Sequence, residues 1–503
     1  MSSTTNRGFP GFADPQAFCS RIPRSRQPVS ALASSARGDS RAGDARRASL
    51  HWLEACCFTL LSWAVAGYAP ALAGQLDYGA GLALAHDSDI TRGSTIPSCV
   101  NPPCAEWTET GFAGIGYADR TVDFTARLLA QVERRTYLRN TYQNDTLYFA
   151  NGAAVWTIAP QRLSWTVEDV AAQSLLSLSD PDTPANRVNT NALSTGPEFT
   201  FRVNPANTPT IGARYGRYDI QGPGDNRRYT SYARWVHQLS EPEKLSLNYE
   251  ATHVDFTAPA LLPNFLRQDT FLRYERLSPL DSLILEGGTT HIQLYGGDEL
   301  HGRSVRVAAL RTLTYESALR LVLWDQISDS ATDLLRAVTS ATSTVVPGTP
   351  VAVATAAPLT GSTLTTGDVY RSQSGELTYV GQSGRIGYDL QGYARRVDYT
   401  TLDQDYHETG GRLTLNWIQS GAVRIYANAD YVKRTIPSLD ERDKYRTGTL
   451  GVTYRITPSL FVSAEGGRIE RESDVPLQSF VDSRVMLLLG YSTGPQYTAA
   501  FRR

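Results

Sequence analysis

From residue 76 onward the chain repeats one pattern: a segment of roughly 10–16 residues in which apolar and polar positions alternate, followed by a turn or loop. Val122, Phe124, Ala126, Leu128, Ala130 and Val132 alternate with Asp123, Thr125, Arg127, Gln131 and Glu133. Leu245, Leu247, Tyr249 and Ala251 alternate with Ser246, Asn248, Glu250 and Thr252. The same beat sets Ile386, Tyr388 and Leu390 against Asp389, Gln391 and Arg395, and Val423, Ile425, Ala427 and Ala429 against Arg424, Asn428 and Asp430. A period of two scatters apolar residues around a helix but gathers them on one face of a strand. The pattern therefore predicts strands with one apolar and one polar face.

The connections alternate in length. Short turns are expected near 119–120, 159–162, 204–207, 240–243, 278–280, 315–317, 382–384, 419–421 and 457–459. Between them fall longer stretches at 88–106, 138–144, 177–189, 221–226, 257–264, 296–300, 330–366, 400–405, 437–443 and 474–479. Sorting by parity is expected of a membrane barrel, with tight turns at one rim and larger loops at the other, and not of a soluble sandwich. The expected fold is an all-β transmembrane antiparallel up-and-down β-barrel of about 20 strands, or about 18 if two weak segments merge. The weakest stretch is 296–320, where Arg303, Arg306 and Arg311 do not share a face. The longest connection, 330–366, reads either as an external loop or as one that folds into the mouth and constricts it.

Composition agrees with strands. Tyr (26) outnumbers Phe (15) and Trp (8), Gly reaches 40 and Met only 2. The mean hydropathy of −0.29 would call the chain soluble, but a barrel strand hides its lipid-facing residues between polar ones. Aromatic residues near segment ends, from Trp107, Tyr137, Tyr148 and Trp165 to Tyr218, Trp235, Phe256, Trp324, Tyr399, Trp417 and Tyr454, are expected to form interfacial girdles. A barrel filling 74–503 leaves no residues for a separate plug domain.

The N-terminal region is different. Residues 1–45 are rich in Ser, Arg and Pro and read as a disordered leader or a start placed too early. Within 46–73, Arg46 and Arg47 precede the apolar run 55–67, and Ala-Leu-Ala at 71–73 stands before Gly74. This is the order of a signal peptide cleaved between Ala73 and Gly74; the other reading is an N-terminal anchor. Without residues 1–73 the chain holds 40 basic and 46 acidic residues, with no basic stripe for nucleic acid.

Cys19, Cys56 and Cys57 leave with the leader, whereas Cys99 and Cys104 remain in Cys-Val-Asn-Pro-Pro-Cys. In an oxidising compartment that pair reads as a local disulfide, the alternative being two reduced loop thiols. The remaining histidines, His86, His237, His253, His291, His301 and His407, form no H-E-x-x-H set, and there is no G-x-S-x-G elbow. No catalytic residue, metal site or cofactor is expected, although a Ser-His-acid set assembled across strands, as in an outer-membrane hydrolase, stays open. The candidate site is the polar face itself: Arg127, Glu133, Glu250, Arg267, Asp269, Arg273, Asp389, Arg395, Arg424 and Asp430 are expected to line the lumen. Their charges would either orient a polar solute or pair across strands and stiffen the wall.

A first segment with an acidic tip, Leu-Ala-Leu-Ala-His-Asp-Ser-Asp-Ile-Thr at 82–91, followed by Tyr- and Arg-rich hairpins, resembles the β-barrel porins associated with exopolysaccharide and exosortase systems in proteobacteria. The resemblance implies a porin-like channel in the outer membrane of a Gram-negative bacterium, linked to export or assembly of surface polysaccharide. The implied partners are outer-membrane lipid, the barrel-assembly machinery, and polysaccharide or its export proteins. A non-conducting structural or assembly barrel with partner-binding external loops is the alternative. The chain departs from the usual aromatic C-terminus of such barrels, since Arg502 and Arg503 follow Phe501.

Overall fold

The computed structural model describes residues 74–94, 96–99, 103–220, 224–335 and 366–494. The expected signal peptide up to Ala73, residues 336–365 of the longest loop, and the C-terminal residues 495–503 lie outside these.

Twenty antiparallel strands follow one another around a closed barrel, and β1 pairs with β20 to seal it. They are β1 (Gln75–Asp87), β2 (Glu106–Arg120), β3 (Phe124–Tyr137), β4 (Asp145–Ala159), β5 (Leu163–Leu175), β6 (Arg187–Thr200) and β7 (Asn207–Ile220). Next come β8 (Asn226–Ser240), β9 (Glu243–Phe256), β10 (Phe265–Leu277), β11 (Asp281–Leu294), β12 (Glu299–Thr314), β13 (Ser317–Asp329) and β14 (Val369–Ser383). The ring is completed by β15 (Ile386–Tyr399), β16 (Tyr406–Ile418), β17 (Val423–Ile436), β18 (Glu441–Arg455), β19 (Leu460–Ser473) and β20 (Phe480–Ser492). The weakest stretch of the sequence resolves into the end of one hairpin and the start of the next, β12 and β13. The turn expected near 119–120 falls slightly later, at 121–123, because β2 runs on to Arg120.

The apolar face of every hairpin points outward. Leu82, Leu247, Leu272, Leu390, Leu450 and Val485 are each about half or more exposed. A belt of this kind is stable only against lipid, and closure leaves no unpaired edge there. This is the architecture of an outer-membrane barrel. Strands of 13–16 residues exceed the roughly 9–11 that cross a bilayer. At the long-loop end the extra length carries outward ion pairs, Arg396–Asp398, Lys444–Glu472 and Arg446–Glu470. Exposed Trp156, Trp165, Trp235 and Trp417 gather near the short turns. Tyr137, Tyr218, Phe256 and Tyr399 do not join a girdle as expected: they turn inward and are buried at the long-loop end, and Trp324 also turns inward, donating to Ser372.

Several inward rings lie flat against the wall because the neighbouring strand offers glycine. A Cβ on Gly212 would fall 2.2 Å from the Tyr232 ring, and one on Gly451 would fall 2.3 Å from Tyr426.

Candidate functional site

All ten sequence-predicted lumen residues lie on the inward face, in a register fixed by the cross-strand pairing. Height along the wall divides them. Arg127, Asp389 and Arg424 stand within one to three residues of the short-turn end of their strands. At mid-wall the charges pair without being buried: Arg412 with Asp430, Arg273 with Glu275 and Glu286, and Glu133 with Arg135. Glu250 sits opposite Asp269 and Tyr232, and the Arg395 guanidinium lies 6.0 Å from the Trp324 ring centroid. Arg267 and Asp269 differ from the rest: they are buried, joined by bonds of 2.6 and 3.1 Å.

That burial has a cause the sequence did not show. Two long-side loops fold into the barrel and reach its far wall. The loop 176–186, between β5 and β6, carries Leu178 into a buried cluster with Tyr370, Val397, Tyr399, Tyr406 and Ile436 of β14–β17. Its carbonyls accept hydrogen bonds from three arginines: Leu178 O from Arg434 (3.2 Å), Ser179 O from Arg471 (2.7 Å) and Asp182 O from Arg92 (3.0 Å). Asn186 fixes the loop from within, its side-chain amide donating to the Ser177 and Asp180 carbonyls.

The second arm leaves β13. Asp329 ends the strand and caps a helical turn over 330–335, accepting bonds from the Thr332 N–H (3.1 Å) and hydroxyl (2.6 Å). The turn aims Ala331 and Leu334 into a cluster with Val170, Val188, Ala192, Tyr218 and Ile220 of β5–β7. Of the two readings for loop 330–366, the inward one holds for its described residues.

Buried ion pairs surround these arms. Asp329 binds Arg228 at 2.6 Å, and Arg434 binds Glu408 at 2.9 Å. Arg471, fully buried, meets Glu441 at 2.7 Å and Asp443 at 2.8 Å. Its Nη2 also faces Ser179 O and Gln478, four acceptors for two hydrogens, so the carboxylates and the loop compete for it. In the loop, burial pushes the Asp182 carboxyl up, but the Arg187, Arg92 and Arg135 charges outweigh it and hold Asp182 below the usual carboxylate range. Cys99 and Cys104 are joined as a disulfide in the β1–β2 loop.

None of Arg228, Glu408, Arg434, Glu441, Asp443 or Arg471 was singled out from sequence. Their inward phase was readable, since each follows its strand's alternation. Their burial was not, because it depends on loops arriving from five or more strands away around the ring.

No histidine enters the lumen among the described residues; all six occupy outward positions. A lumenal Ser-His-acid set is therefore not formed. The fold does bring together three residues that the sequence reading left apart. His291 and His301 pair directly across β11 and β12, with Glu299 beside both. Reading that hairpin's register around 295–298 would have placed the two histidines opposite each other.

No protein-family model and no curated protein matches the chain. Solved structures with a similar course exist. The FrpB iron transporter of Neisseria meningitidis (F5-1 variant, apoprotein form) aligns at 9% identity and TM-score 0.43, covering 82% of this chain and 81% of its own. A mutant of the ferric enterobactin receptor PfeA from Pseudomonas aeruginosa aligns at 9% identity and TM-score 0.41, covering 83% and 80%. The siderophore receptor PirA from Acinetobacter baumannii aligns at 8% identity and TM-score 0.44, covering 84% and 81%.

Proposed function

We propose that this chain is a gated channel of the outer membrane. The observation that carries the reading is the pair of arms, 176–186 and 330–335, that cross the mouth to the opposite wall while the wall below stays polar and mixed in charge. A barrel meant only as scaffold has no need of a hydrated, charged lower wall, which lipid-side packing does not require. A passive open pore has no need of arms anchored by buried arginines. In the state described here the mouth is bridged, and passage requires at least one arm to leave its cluster.

The solute is proposed to be polar and uncharged or of mixed charge. Opposite charges stand side by side along the wall, so no single-sign field selects anions or cations. Surface polysaccharide, the cargo implied by the resemblance in sequence, is supported by inward tyrosines that pair with carboxylates: Tyr232 donates to Glu198 and Tyr426 to Glu465, each at 2.8 Å. A ring face beside a carboxylate offers an apolar surface for sugar C–H groups and an acceptor for their hydroxyls. Lipid and the barrel-assembly machinery are the partners this reading requires.

The test is single-channel conductance in planar bilayers of the whole chain and of a variant whose residues 177–185 are replaced by a short Gly-Ser linker. The intact barrel should show rare or brief openings, and the variant a steady current that oligosaccharide added on the loop side reduces. Silence from both, with each barrel folded, would instead establish the non-conducting structural barrel.

A further inference from the structure

We infer that the outer wall carries a transition-metal site formed by His291, Glu299 and His301. The three residues flank the short connection 295–298 at the long-loop end of β11 and β12. The pairing register places His291 and His301 directly opposite each other on the outward face, and Glu299 lies two residues before His301 on that same face. The imidazole rings are stacked, with centroids 4.3 Å apart and planes 2° from parallel. Glu299 Oε2 stands 3.6 Å from His291 Nε2 and 3.5 Å from His301 Nε2.

Those distances are long for hydrogen bonds, which run at roughly 2.7–3.2 Å. They match the spacing of ligand atoms around one small cation: tetrahedral bonds of about 2.0–2.1 Å put neighbouring ligand atoms about 3.3–3.5 Å apart. The three ligand atoms all fall within 4.8 Å of one another, so a modest turn of the two rings closes the widest separation. His291 Nε2 supplies an independent observation: it is shielded from solvent and has no hydrogen-bond partner. A bound cation would satisfy that atom, which water does not reach. His301 and Glu299 are more than half exposed, which gives an ion entry from outside and leaves a fourth position to water.

Two imidazoles and one carboxylate suit Zn²⁺, Cu²⁺ or Ni²⁺ over Ca²⁺ or Mg²⁺, which prefer all-oxygen shells. The site lies above the apolar belt, in the polar collar with the outward Arg303–Asp325 pair. A metal there would fasten β11 to β12 from the lipid-free side, at a distance from the lumen and the mouth.

The experiment is calorimetric titration of the detergent-solubilised whole barrel with Zn²⁺. One equivalent should bind in the wild type. Loss of an outer-shell partner alone costs metal sites roughly 10–100-fold, so removing both ligands in H291A/H301A should weaken binding by more than about 100-fold. E299Q should weaken it less. Stoichiometric binding unchanged in H291A/H301A would overturn the site, as would no binding to the wild type. A second measurement needs no variant: Zn²⁺ should protect the exposed His301, but not His237, from acylation in the wild-type barrel. Equal modification with and without Zn²⁺ would also overturn it.

Discussion

Arg471 and Arg412 both project inward and both bind carboxylates, yet they live in different solvents. At the long-loop end Arg471 is 0% exposed between Glu441 and Asp443. At mid-wall Arg412 is 49% exposed beside Asp430. The strands that carry them are alike in length, pairing and alternation. What differs is whether a loop has come across to cover the pair. Below the arms the barrel is mostly wall, with one small buried cluster, Phe112, Phe461 and Leu488. At the mouth, three clusters of buried side chains and the ion pairs among them form the interior that a soluble protein would place at its centre. Tertiary stability and control of passage are therefore concentrated at one end, and the character of the passage at the other.

The sharpest way to break this contrast is Arg471→Met. It leaves Glu441 and Asp443 buried without their cation, and losing one partner of a buried pair costs about 3–5 kcal/mol. The midpoint of urea unfolding should fall accordingly, and conductance should rise because Ser179 O loses its donor.

A smaller effect comes from acidification. The Asp182 carboxyl is held below its usual range in the folded loop. Its contribution is complete above the unfolded pKa of about 3.9 and is lost as pH falls through the lower folded value. Channel openings should stay rare from neutral pH down to about 4 and become more frequent below that, in the wild type. In Asp182→Asn the frequency should change little across the same interval. A wild-type opening rate that is flat below pH 4 would remove Asp182 from the latch.

The smallest expected effect is at mid-wall. Asp430→Asn breaks a solvent-exposed pair, worth at most about 1 kcal/mol, so unfolding should hardly move. The reversal potential in a salt gradient should nonetheless shift toward anion preference, since Arg412 is left uncompensated in the lumen. A large loss of stability would show that mid-wall pairs behave like those of the mouth, and would collapse the comparison.

The fold was legible because it is local and repetitive. Alternation such as Val423, Ile425 and Ala427 against Arg424 and Asn428 fixes a face, and the parity of connection lengths fixes the topology; both survive without knowledge of distant contacts. The inward phase of the ten lumen residues followed from the same rule. What the rule cannot supply is depth. Arg267 and Asp430 read alike in sequence, yet one is buried beneath the arms and the other faces an open wall. Tyr137, Tyr218, Phe256 and Tyr399 likewise read as girdle rings, because an aromatic residue at a strand end faces lipid or core according to strand phase and loop cover. The pairing of His291 with His301 lay between these cases: it needed only one hairpin's register, but a search for spacing within a single segment passes over it.

The arm 176–186 also says something about the order in which the molecule comes together. Leu178 and Arg434 are separated by 256 residues, and Ser179 and Arg471 by 292. Contacts at such separation wait on the chain between them, and they cannot form until β17 to β19 have been added to the growing sheet. A half-built barrel thus has neither a complete ring nor a latched mouth, and its lumen stays accessible to whatever guides its insertion. The latch waits on β19 and the seam between β1 and β20 waits on the last strand, so a quiet, closed channel is also the sign that assembly is nearly complete.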